Sequence, residues 1–191
     1  MQSKFFAFMA RMKYINRWSL MRNTYTENIA EHSLSVSLIA HALAVISNKY
    51  YGTSYDVYKI GMIGAYHETS EVITGDLPTP IKYFSPEIRD SYKAVEKTAD
   101  ERILSTLPDD LKDDFSMLVD PSAEEYRIVK CADKIAAYIK CVEEISCGNK
   151  EFKQAEKATK KAIDEMTDPA VKYFMEVFVP AFKLSLDELS E

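Results

Sequence analysis

Residues 29–47 read IAEHSLSVSLIAHALAVIS, and this stretch decides the fold. Ile29, Val36, Ile39, Leu43 and Ile46 fall on one stripe at helical spacing, the mark of an amphipathic helix with its apolar face in a core. His32, three residues after Ile29 and four before Val36, lies on that stripe and is expected to point inward. His41 comes nine residues later. At about 100° per residue it falls half a turn away, so it is expected at the surface.

The same periodicity extends outward in both directions. Phe5, Phe8, Met9 and Met12 mark one face of a first helix, expected to serve as a core or dimer face. A polar and aromatic loop, NRWSLMRNTYTEN at 16–28, separates the two. Downstream, a helix is expected from about Asp56 to Glu71. It is followed by TGDLPTP at 74–80, a glycine- and proline-punctuated loop expected to hold no regular structure. Ser85-Pro86 opens a long helix, with proline at its first position. Pro108 divides this from a short acidic helix ending near Asp120. Ser122 and Glu125 form a capping-box pattern for a helix that stops at Gly148. Lys150 to Met166 reads as a lysine-rich outer helix. Asp168-Pro169 opens the last one, which Pro180 is expected to kink. With no convincing strand and no repeat, the expectation is one all-α domain covering residues 1–191.

Composition narrows the function. The 191 residues include only five glycines, well below the usual ~7%. Neither GxGxxG nor GxxxxGK[ST] occurs, which excludes nucleotide binding through those loops. A net charge of −6 argues against a nucleic-acid polymer as main partner, because gripping a polyphosphate backbone calls for a basic face. Cys131, Cys141 and Cys147 fall on one helix, about 15 and 9 Å apart along its axis at a rise of about 1.5 Å per residue. They cannot bridge, and reduced thiols suit a cytoplasmic protein. The apolar run near the N-terminus is too short for a signal peptide, and Leu38–Ile46, interrupted by His41, is too short for a bilayer. No membrane association is expected.

Three histidines allow each to be weighed singly. His67-Glu68 ends an apolar helical segment, and Glu71 follows one turn later on the same side. Asp133 sits among Val129, Ala132, Ala136 and Ala137, on a face that otherwise belongs to the core. A carboxylate there costs several kcal/mol unless a cation or donors meet it. Taken alone, Asp133 is explained equally well by a salt bridge. Two inward histidines and two carboxylates on three helices of one bundle favour a metal. Mixed imidazole and carboxylate ligands suit Zn, Mn, Fe, Co or Ni rather than Ca. The HETSE run at 67–71 lacks the second histidine of an HExxH protease, with Glu71 in its place, so a peptidase is disfavoured.

The spaced set His32 … His67-Glu68 … Asp133 resembles the H…HD…D signature of HD-domain metal phosphohydrolases. The segments around it narrow the likeness to bacterial YfbR-type 5′-deoxynucleotidases. These are Ile15-Asn16-Arg17-Trp18, Thr26-Glu27-Asn28, Glu31-His32-Ser33, residues 74–80, Phe174-Met175-Glu176 and Leu184 to Glu188. They follow in order over nearly the whole chain. The resemblance implies an HD-domain helical bundle and a homodimeric cytoplasmic enzyme that hydrolyses deoxyribonucleoside 5′-monophosphates to deoxynucleoside and phosphate. It implies that His32, His67, Glu68 and Asp133 hold one divalent metal, with His32, Glu68 and Asp133 also facing substrate. Arg17 would orient the phosphate and Trp18 would pack against the sugar, leaving little room for a 2′-hydroxyl. Asp76, Leu77, Pro78 and Thr79 would line the nucleoside, with Asp76 near the 3′-hydroxyl, and Glu71 would be the acid/base.

One residue departs from the family pattern, which carries His-Asp where this chain has His67-Glu68. Glutamate is longer by about one C–C bond, roughly 1.5 Å, whereas metal–oxygen distances tolerate only a few tenths of an ångström. The expectation is that Glu68 still ligates, with altered metal preference or a reduced rate. Two alternatives remain: a nucleotide-binding or regulatory protein whose chemistry Glu68 has impaired, or an HD phosphohydrolase for another small phosphoester.

Overall fold

A computed structural model of the chain describes residues 2–190. The elements follow in the order α1 (Phe5–Met9), α2 (Ile29–Tyr51), α3 (Val57–Tyr66), α4 (Glu71–Thr74), α5 (Thr79–Lys82), α6 (Pro86–Leu104), α7 (Lys112–Val119), α8 (Ala123–Ser146), α9 (Lys153–Asp164), α10 (Pro169–Val177) and α11 (Leu186–Leu189). Among the described residues no strand forms, and one isolated bridge pairs Asn16 with Asn28. The fold is all-α, as the periodicity requires.

α2 begins where Asn28 accepts hydrogen bonds from the Ala30 and Glu31 N–H groups, both at 3.0 Å, while Glu31 reaches back to the Asn28 N–H. This reciprocal cap satisfies donors that the first turn would otherwise leave free. It also starts the stripe one turn before His32. Ile29, Val36, Ile39, Leu43 and Ile46 are all buried, and His32 is 0% exposed beside them. By length and composition α2 could cross a membrane, but half of its apolar window is buried inside the fold. α2 packs against α3, α8 and α10. α8 carries the expected Ser122–Glu125 cap and contributes Ile128, Val129, Ala132, Ile135 and Val142 to the same core. A smaller apolar cluster gathers Phe5, Ile103 and Leu107, so the first helix face is part of a core.

Two glycines let α3 approach α2. A Cβ at Gly64 would lie 2.8 Å from Ser37 Cα, and one at Gly61 would lie 3.3 Å from His41 Cβ. This contact corrects the expectation for His41, which is half-buried against α3 with its ring 5.9 Å from that of Tyr58. Other local expectations are corrected as well. The first helix is short and passes into a 3-10 turn at Ala10–Tyr14. The helix expected from Asp56 to Glu71 stops at Tyr66, because side chains capture its last carbonyls: His67 Nδ1 bonds Gly64 O (2.7 Å) and Thr69 Oγ1 bonds Tyr66 O (2.6 Å). The 74–80 loop ends in the single turn of α5, where Pro80 costs no hydrogen bond because first-turn N–H groups have no partner anyway. Pro180 does not kink a continuous helix: α10 ends at Val177 and Pro180 sits in the first turn of a 3-10 segment, Val179–Lys183.

Candidate metal centre and active site

Three of these elements converge on one point. His32 comes from the first turns of α2, His67 and Glu68 from the turn after α3, and Asp133 from the middle of α8. One donor atom from each lies within 4.8 Å of all the others. His32 Nε2 is 3.0 Å from Asp133 Oδ1, and His67 Nε2 is 3.1 Å from Glu68 Oε1. Two ligands held about 2.1 Å from a common ion at right to tetrahedral angles would be about 3.0–3.4 Å apart. The observed spacings match.

The protonation chemistry points the same way. His67 Nδ1 donates to the Gly64 carbonyl, which fixes the ring with its buried Nε2 facing the cluster and without a hydrogen-bond partner. Burial first, and then the Arg17 charge, lowers His32 to about 4, which keeps its imidazole neutral. Burial works against charge on Glu68 and Asp133 as well, but their neighbours outweigh it. His67 holds Glu68 well below the usual carboxylate range, and His32 and Lys130 do the same for Asp133. Two imidazoles facing two carboxylates form a mixed nitrogen and oxygen donor set of the kind that suits a divalent transition metal.

The salt bridge weighed for Asp133 is also present. Lys130 Nζ stands 3.6 Å from Asp133 Oδ2, while Oδ1 faces His32. Glu68 stands in the turn after α3 rather than in a helix, and its Oε1 lies 3.7 Å from Arg17 Nη1.

Arg17 and Trp18 arrive on the loop before α2, which is stitched by Arg17 N–H to Glu27 O (2.9 Å) and Ile29 N–H to Ile15 O (2.9 Å). Burial disfavours the Arg17 charge, but Glu68, Glu27, Asp133 and Asp76 together raise its pKa above the ordinary value. Trp18 has φ +57°, an uncommon conformation for a bulky aromatic residue. Its indole N–H donates to Glu27 (3.0 Å), and its ring lies 5.3 Å from that of Phe152. Burial raises the Asp76 pKa against the opposing pull of Arg17. Glu71 is 4% exposed, with Oε2 unpartnered; burial and the Glu68 carboxylate push it up to about 10.

The structure therefore gathers His32, His67, Glu68, Asp133, Arg17, Trp18, Glu71 and Asp76. Leu77 and Pro78 are half-buried in the adjoining loop, and Thr79 is exposed at the start of α5. Sequence reasoning gave no role to Glu27, nor to a buried pair on α8, Lys140 and Glu144, whose charged atoms are 2.5 Å apart. Glu144 accepts the Thr24 N–H (2.9 Å), and Lys140 donates to the Tyr25 carbonyl (2.8 Å), so the pair anchors the loop that carries Arg17 and Trp18. A Lys and a Glu four apart within the apolar run of α8 were the available signal.

The model of the 5′-deoxynucleotidase YfbR-like family matches residues 4–182. The 5′-deoxynucleotidase YfbR of Salmonella arizonae is 51% identical over 193 residues, covering 100% of this chain and 97% of that protein. The Salmonella typhi protein of the same name is 50% identical with the same coverage. Among solved structures, an HD-domain phosphohydrolase from Listeria innocua superposes with a TM-score of 0.81 at 23% identity, covering 98% of this chain and 92% of that one. The cyanophage S-2L HD phosphohydrolase DatZ, solved with dA and one catalytic Zn2+ ion, matches with a TM-score of 0.61 at 18% identity, covering 91% and 95%. At these identities the structural matches speak to the fold, which is that of HD-domain phosphohydrolases.

Proposed function

Because this chain belongs to the 5′-deoxynucleotidase YfbR-like family, we propose that His32, His67, Glu68 and Asp133 are its metal ligands and that the residues around them carry out phosphomonoester hydrolysis. The protein is a 5′-deoxynucleotidase, releasing phosphate from deoxyribonucleoside 5′-monophosphates. The observation that supports the residue assignment best is the convergence of His32, His67, Glu68 and Asp133, one donor atom from each lying within 4.8 Å of all the others.

A divalent metal bound there supplies charge to neutralise phosphate oxygens and to acidify water. Arg17 presents a planar fork that suits two phosphate oxygens. Glu71 keeps a proton near neutral pH; as water attacks phosphorus and the bond to the 5′-oxygen breaks, it would give that proton to the departing oxygen. Trp18 packs against the sugar and disfavours a 2′-hydroxyl. Asp76 meets the 3′-hydroxyl, and Leu77, Pro78 and Thr79 line the nucleoside.

The donor set suits one ion of Zn, Mn, Fe, Co or Ni. We further propose that residues 1–191 act as one HD domain in the cytoplasm, as a homodimer, with neither membrane nor nucleic-acid polymer as partner. Supporting the dimer are Leu38 and Phe182, 64% and 40% exposed, which line one apolar groove.

The test is phosphate release from matched deoxyribo- and ribonucleoside 5′-monophosphates, with Co, Mn, Zn or no added metal. Release from the deoxy series alone, abolished by chelator, is expected. No release with any metal would favour a binding protein disabled by Glu68. Equal release from both series would point to another small phosphoester as the substrate.

A further inference from the structure

Glu27 lies at the meeting point of three functional residues. Its Oε2 accepts the Trp18 indole N–H at 3.0 Å and lies 3.2 Å from Arg17 Nε, while its Oε1 lies 3.8 Å from His32 Nδ1. Arg17 Nε and His32 Nδ1 are buried atoms without a hydrogen-bond partner, and both face this carboxylate. The carboxylate is itself only 11% exposed. Burying a charge is costly, and this one is met on the site side by Arg17 and on the other by Lys140, at the wall of the groove that Leu38 and Phe182 line.

We propose that Glu27 is a positioning residue, which fixes the Arg17 guanidinium, the Trp18 ring and the His32 imidazole relative to one another. This rests on the roles proposed above for those three residues. Toward Arg17, the carboxylate holds the Nε edge and leaves the remaining N–H groups of the guanidinium for phosphate. Toward Trp18, it anchors a residue whose backbone is strained, together with Asn23 Nδ2 and Met21 N–H, which both donate to the Trp18 carbonyl (3.3 and 2.9 Å). Toward His32, the carboxylate stands 3.8 Å from Nδ1, the ring edge opposite the Nε2 that is hydrogen-bonded to Asp133 Oδ1 at 3.0 Å, so a negative charge there would favour a proton on Nδ1 once a metal takes Nε2. One carboxylate thereby ties the phosphate-orienting group and the sugar-facing ring to the metal cluster. The floor beneath it is α8, where Lys140 and Glu144 hold residues 24 and 25.

The test compares wild type with E27Q and E27D. E27Q keeps an acceptor for the indole but removes the charge; E27D keeps the charge but draws it back. Three readouts are taken on the folded proteins: Co2+ affinity from its visible absorption, Trp18 fluorescence, and kcat and KM for a deoxyribonucleoside 5′-monophosphate. Trp18 is the only tryptophan in the chain, so its emission reports this loop alone. Both variants are expected to bind Co2+ about 10–100-fold more weakly, the usual cost of removing a group that orients a metal-ligating histidine. KM is expected to rise about tenfold, with shifted Trp18 emission and an unchanged far-ultraviolet spectrum. Co2+ affinity and KM within twofold of wild type in either folded variant would overturn the proposal. So would a loss of activity that merely follows a smaller folded fraction. If wild type itself releases no phosphate, the deoxynucleotidase reading fails, while the Co2+ and fluorescence readouts still decide the role of Glu27.

Discussion

Glu68, where the His-Asp resemblance leads one to expect aspartate, stands in the turn after α3 with its Oε1 3.1 Å from His67 Nε2. E68A is therefore expected to lose metal affinity by about 100-fold or more, whereas E68D should retain binding with a changed order of metal preference; titration with Co2+, Mn2+ and Zn2+ measures both. R17K should raise KM about tenfold, because an ammonium cannot reproduce the planar fork. His32 has a pH signature in metal-stripped protein. Its folded pKa of about 4 lies below the ~6.5 of an unfolded chain, so the unfolded state takes up protons first. The stability from neutral His32 is complete above about pH 6.5 and is lost as pH falls toward 4, to the extent of about 3 kcal/mol. Glu71, raised to about 10, acts in the opposite sense and masks this slope, so urea unfolding of E71Q between pH 7 and 4 is the measurement that exposes it. The four clustered residues were legible because imidazoles are scarce and Asp133 interrupts an apolar face. Glu27 was not, since its role exists only once the loop folds back beside His32.

Among the elements, the α2–α3 contact sets the distance between the two histidines, whose rings lie 5.3 Å apart. G64A would drive a Cβ to 2.8 Å from Ser37 Cα, so a fall in melting temperature and weaker Co2+ binding are expected together. E144Q, which leaves Lys140 buried without its partner charge, is expected to cost about 3–5 kcal/mol in denaturant unfolding. Helix starts were readable wherever a capping side chain preceded an apolar period, as at Ser122 and Ser85. The stop after Tyr66 was not, because its cause is a pair of side chains that turn back onto the Gly64 and Tyr66 carbonyls while the apolar pattern continues. Pro180 was readable as a disruption but not as a full break.

For the whole molecule, the proposed ligands come from α2, α8 and the turn after α3, so metal binding there would be coupled to folding. Free metal at about 100 times its dissociation constant should add about 2.7 kcal/mol to unfolding, and chelator should remove it; calorimetry with and without chelator reads the difference. The all-α architecture was legible from periodicity and from the shortage of glycine. How α3, α6 and α8 are arranged about α2 depends on close approaches that pattern alone does not encode.

The most direct measurement is anomalous diffraction at the Co or Mn absorption edge from crystals grown with that metal. One strong peak bounded by His32, His67, Glu68 and Asp133 is expected, with Glu68 at bonding distance. A peak with Glu68 turned away, or no peak among these four residues, would contradict the account.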